Sequence, residues 1–74
     1  MEYKGRIVSD PNILRGKPVI KGTRISVELI LRKLGEGMSI EELLRAYPVL
    51  TKKDILAAIS YSADVIKSEE IVGS

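Results

Sequence analysis

The chain has neither cysteine nor histidine among its 74 residues, so a disulfide framework, a thiolate metal site and imidazole ligands or general bases are all excluded. It also lacks Trp and Phe and carries three Tyr. Base stacking on aromatic platforms is the usual route to single-strand recognition, so an RNA-binding role ranks third, behind DNA binding and protein interaction. No apolar run approaches about 18 residues, and no cationic amino terminus leads into an apolar segment. The expectation is a soluble cytoplasmic protein without a membrane segment.

With 45% hydrophobic residues, residues 1–74 form one domain near the lower size limit for a self-sufficient core. Packing, helped by self-association, has to supply the stability. The net charge of +2 is modest, but its distribution is uneven. Between Lys4 and Lys33 stand eight cations (Lys4, Arg6, Arg15, Lys17, Lys21, Arg24, Arg32, Lys33) against the acids Asp10 and Glu28. A cationic amino-terminal half suits phosphates or an acidic protein, or is simply a solvated face.

Glycine, proline and cationic residues are concentrated in the stretch from Asp10 to Ile25. Asp10-Pro11 marks a turn after a lead-in strand containing Tyr3, Ile7 and Val8. Beyond a bend at Gly16, Pro18 to Ile20 and Thr23 to Ile25 read as two short strands of a β-hairpin around Lys21-Gly22. Ser26 then caps a helix to about Leu34, with Glu28 favouring the positive end of its dipole. Val27, Ile30, Leu31 and Leu34 form its core stripe, which leaves Leu29 outward as a partner-contact candidate, with Lys17 beside it in that role. Ser39-Ile40-Glu41-Glu42 is a capping box opening a second helix to about Ala46, and Pro48 ends it. Thr51, with Asp54 three residues on, opens a third helix from Lys52 to about Lys67. Ile55, Leu56, Ile59, Ala63 and Ile66 are its expected core face, with Lys53, Asp54, Ala57, Ser60, Asp64 and Ser68 turned to solvent. The tail from Glu69 to Ser74 has neither cap nor period, so it is expected to fray or to pack on a partner.

The second and third helices, joined by Tyr47-Pro48-Val49-Leu50, match a helix-turn-helix layout. The expected fold is mostly α: a tri-helical homeodomain-like or winged helix-turn-helix domain preceded by a short β-hairpin. The amino terminus of the third helix, with free amides and a positive dipole end, suits phosphate or base edges. Thr51, Lys52, Lys53 and Ser60 are therefore the DNA-contact candidates, with backbone contacts from Arg45, Lys21 and Arg24. Two features argue the other way: acids on the same face, and no arginine there to read guanine. The alternative is a protein-interaction module without DNA binding, dimerising through its hairpin edge. Catalysis is not expected, and neither is a cofactor. The adjacent pairs Glu41-Glu42 and Glu69-Glu70 diverge on a helix, and Gly16-Lys17 and Gly22-Thr23 lack the glycine spacing of a phosphate-binding loop.

The run Asp10-Pro11-Asn12-Ile13 through Gly16-Lys17-Pro18-Val19-Ile20 to Gly22-Thr23-Arg24-Ile25 closely resembles the domain of unknown function 433, the VapB-like antitoxin family. So do Ser39-Ile40-Glu41-Glu42-Leu43 and Tyr47-Pro48-x-Leu50-x-x-x-Asp54-Ile55. The resemblance spans about residues 7 to 66 and departs at none of the motif positions. It implies a homeodomain-like or winged helix fold in a prokaryotic cytoplasm. It also implies a small toxin, a PIN-type ribonuclease, inhibited by direct binding, with the helix-turn-helix letting the complex repress its own promoter on double-stranded DNA; the chain itself is expected to act as a homodimer.

Overall fold

The computed structural model describes residues 5–73, with side chains for 5–68. Tyr3, in the expected lead-in strand, lies outside them. The element order is β1 (Ile7–Val8), a single turn of 3-10 helix (Leu14–Gly16), β2 (Val19–Ile20), α1 (Val27–Gly35), α2 (Ile40–Ala46) and α3 (Lys52–Gly73). Three helices and a two-stranded antiparallel sheet surround one core.

The sheet pairs differently from the expected hairpin. Val19–Ile20 pairs with the lead-in strand, Ile7 opposite Ile20 and Val8 opposite Val19. The segment Thr23 to Ile25 is no strand, because its polar groups are used locally. The Thr23 amide and hydroxyl both donate to the Ile20 carbonyl, at 3.0 and 2.8 Å, and the Ile25 amide donates back to the Thr23 hydroxyl at 2.9 Å. The turn needs a residue at positive φ in its third position, which Gly22 supplies at +81°. On that side of β2 there remain an isolated bridge between Val19 and Ser26 and a bond from the Ile20 amide to the Ile25 carbonyl.

The first two helices follow their local signals. The Ser26 hydroxyl accepts from the Leu29 amide at 3.0 Å. At its other end α1 closes with a Schellman motif, in which the Met38 amide donates to the Lys33 carbonyl and the Gly37 amide to the Leu34 carbonyl. Gly37, at φ +101°, supplies the left-handed residue this cap requires. In α2 the capping box is complete: the Ser39 hydroxyl accepts from the Glu42 amide at 3.1 Å, and the Glu42 carboxylate accepts from the Ser39 amide at 2.9 Å.

Ile20, Val27, Ile30, Leu43, Leu50, Ile55 and Ala58 form the core, with Leu31, Leu34, Ile40, Leu44 and Tyr47 packed against it. Here α3 departs from the sequence reading. It buries Asp54, Ile55, Ala57 and Ala58, while Leu56, Ile59 and Ile66 are 36%, 40% and 62% exposed. The face expected to be core is therefore largely solvent-facing, and Ala57, expected outside, is fully buried. α1, α2 and β1 all contact α3, and the two small alanines let these elements approach its backbone closely. The helix also runs beyond the expected end near Lys67, continuing through Gly73. Expected fraying of the tail is not what the backbone shows as far as Gly73. Among the described residues no helix is long and apolar enough to cross a membrane.

Candidate functional site

The first turn of α3 is built around Asp54. The Thr51 hydroxyl accepts from the Asp54 amide at 3.2 Å, and the Asp54 carboxylate accepts from the Thr51 amide at 2.9 Å, a reciprocal cap like that of α2. The other carboxylate oxygen of Asp54 accepts from the Arg6 guanidinium at 3.0 Å. Asp54 is thus buried and neutralised rather than presented to solvent, which corrects its assignment to the exposed face. The Arg6 carbonyl in turn accepts from the Lys21 amide at 2.8 Å. Through Arg6, the turn from Lys21 to Arg24 is held beside the amino terminus of α3.

The Lys21–Arg24 turn and the first turn of α3 are thus linked through one residue, and we refer to them together as the cationic edge. Lys21, Arg24, Thr51, Lys52 and Lys53 are all exposed, and none of these cations has an ion pair among the described residues. The first-turn amides of α3 and the positive end of its dipole add to the field there. Of the other expected contacts, Arg45 is exposed in the last turn of α2, with no bond among the described residues tying it to this edge. Ser60 is half-buried two turns along α3, less accessible than expected.

A second feature lies between α1 and the carboxy-terminal half of α3. An apolar groove of about 760 Å³ has Val27 and Leu31 on one wall and Tyr61, Val65 and Ile66 on the other. Lys17, Glu28 and Arg32 stand at its lip. The Lys17 ammonium donates to Glu28 at 2.8 Å, and Arg32 pairs with the other oxygen of the same carboxylate. The Lys17 hydrogen bond, reinforced by the charges of Lys17 and Arg32, lowers the Glu28 carboxyl below its ordinary range. Lys17, a partner-contact candidate, therefore belongs to this groove but is already paired. Leu29, the other, is half-buried rather than outward and does not line the groove.

No local motif marks Arg6 as the link between these elements, or Tyr61 and Val65 as the wall of a groove. The 3-10 turn is unusual: Leu14, Arg15 and Gly16 have φ of +49°, +57° and +85° in succession. Leucine and arginine rarely enter this region, at a cost of about 1–2 kcal/mol each. The Gly16 amide, bonded to the Ile13 carbonyl at 3.0 Å, and the Lys17 amide, bonded to the Leu14 carbonyl at 3.2 Å, hold the turn. Leu14 and Arg15 are exposed on it next to Lys17. Among the described residues no cluster of acids could hold a metal ion.

The chain belongs to the family described as protein of unknown function (DUF433), which matches residues 7–62. It is 38% identical over 56 residues to the uncharacterized protein y4eO of Sinorhizobium fredii, an alignment covering 76% of this chain and 25% of that protein. The chain thus spans about a quarter of the curated relative it matches. In fold it resembles a DUF433 member protein from Anabaena variabilis, solved as a crystal structure. The TM-score is 0.81 at 28% sequence identity, over 96% of this chain and 71% of that one.

Proposed function

We propose that this chain is a non-catalytic, antitoxin-like regulator that binds double-stranded DNA through its cationic edge, with α2 and α3 as a helix-turn-helix and the small sheet as its wing. The observation that supports this reading most directly is the Arg6 bridge. It ties the turn that carries Lys21 and Arg24 to the first turn of α3, which carries Lys52 and Lys53, and it pairs Asp54, the acid that would otherwise repel a phosphate. Phosphates attract such an edge whatever the sequence, and α3 then approaches base edges by its amino terminus. A dimer would set two such helices about 34 Å apart. The resemblance to VapB-like antitoxins supplies the toxin in this proposal, a PIN-type ribonuclease held on the remaining surface, in a prokaryotic cytoplasm.

The test is a salt titration of affinity for duplex DNA. Lys53→Ala, and separately Lys52→Ala, weaken binding to all sequences alike and make the salt slope shallower by about one unit. An unchanged slope removes that lysine from the phosphate contacts.

The second reading, a protein-interaction module without DNA binding, draws on a specific observation. The outer face of α3 carries Leu56, Ile59 and Ile66 alongside its exposed lysines, and apolar surface of this kind suits protein better than phosphate. Failure to retard any duplex at low salt by the folded chain would favour this module. Copurification of a ribonuclease with the chain from its native cells, surviving nuclease treatment, supports the antitoxin part under either reading.

A further inference from the structure

We infer that the groove between α1 and α3 receives the carboxy-terminal turn of α3 from a second copy of this chain, closing a two-fold dimer. The DNA reading above calls for a dimer without saying where it forms, and this inference stands independently of DNA.

Three observations converge on that occupant. The groove is apolar within, through Val27, Leu31, Val65 and Ile66, and net positive at its lip, where Lys17 and Arg32 share the one acid Glu28. A segment that fills it must offer apolar side chains together with acids. The sequence has such a segment in Glu69-Glu70-Ile71-Val72, and this segment ends α3. Continuity of the helix decides whose groove it enters. From Ile66, at the groove, α3 runs unbroken for seven more residues to Gly73, about 10 Å further. A continuous helix cannot turn back into a cleft that it walls itself, so the segment can fill only another copy's groove. Each copy then offers one groove and one insert, as an isologous contact requires. The small core gives such a contact a stabilising role as well: Val65 and Ile66 are 41% and 62% exposed in the single chain, and covering them adds apolar burial that a domain of this size otherwise lacks.

The experiment is sedimentation equilibrium of the full chain without DNA, with circular dichroism confirming the fold of each variant. The wild type is expected to be a dimer at roughly 0.1 mM, and E69K/E70K to raise its dissociation constant at least tenfold. Arg32→Glu, made at a side chain 59% exposed, should do the same. Mixing the two variants should restore the dimer, because each positive tail then meets a negative lip and each negative tail a positive one. A monomeric wild type would overturn the inference. A dimer indifferent to E69K/E70K, or variants that fail to recombine on mixing, would overturn it too. Because DNA is absent, none of these outcomes depends on whether the cationic edge binds it.

Discussion

Asp54 joins three parts of the molecule at one carboxylate: the cap of α3, the end of β1 through Arg6, and by way of the Arg6 carbonyl the turn at Lys21. Asp54→Ala removes the reciprocal cap and leaves Arg6 unpaired, so stability should fall by about 2 kcal/mol in urea unfolding. DNA affinity should fall further than the loss of folded protein explains, because the cationic turn loses its anchor. Arg15 offers the opposite case. Its left-handed backbone is strained, so Arg15→Gly should stabilise the fold by about 1 kcal/mol in the same assay. The two perturbed carboxylates define a pH dependence. Glu28 is lowered by the Lys17 hydrogen bond and by the Lys17 and Arg32 charges, and Glu42 by the bonds it receives from Ser39. A carboxyl whose folded pKa lies below its unfolded one stabilises the protein above the ordinary carboxylate range, and that contribution is lost as pH falls through the folded value. Urea midpoints should therefore drop on acidification from about pH 7 to pH 3. They should drop less for E28Q/E42Q, whose starting midpoint is already lower.

Elements with local signals were legible in the sequence; those decided by distant partners were not. Ser26, Ser39 with Glu42, Thr51 with Asp54, and the glycines after Leu34 mark helix ends because a cap is satisfied within a few residues, and the structure places α1 and α2 where those signals stand. The pairing of β2 with β1 was not legible. It joins residues separated by a long turn, and Thr23 spends on that turn the bonds a second strand would have needed. The register of α3 was misread because the helix has two apolar faces. Leu56, Ile59, Ala63 and Ile66 make the more hydrophobic one, so periodicity selects it. Close packing selects the other, where Ala57 and Ala58 let neighbouring elements come near. Substitutions separate the two faces. Ile55→Ala should cost about 3 kcal/mol, as for a fully buried aliphatic, while Ile59→Ala should cost under about 1 kcal/mol. Ala57→Leu should cost about 2 kcal/mol by overpacking a site that periodicity assigns to solvent.

At the scale of the whole molecule, two features stand out among the described residues: exposed cations at the Lys21–Arg24 turn and the first turn of α3, and an apolar groove walled by the carboxy-terminal half of that helix. The cationic site was partly legible, since Thr51, Lys52 and Lys53 follow from the helix start, and Lys21 and Arg24 from the density of charge. What joined them was not, because Arg6 gives no motif and acts through the fold alone. The groove was hidden for the same reason, its walls coming from two helices separated by α2. The central claim, that the joined edge is where DNA binds, is tested most directly by recording backbone amide NMR spectra of the labelled chain while a duplex is added at low salt. Shifts that grow with DNA are expected at Lys21 to Arg24 and at Thr51 to Lys53, and none at Val27 or Leu31 in the groove. Unchanged amides at both ends of the edge, or shifts confined to the groove, would contradict that claim.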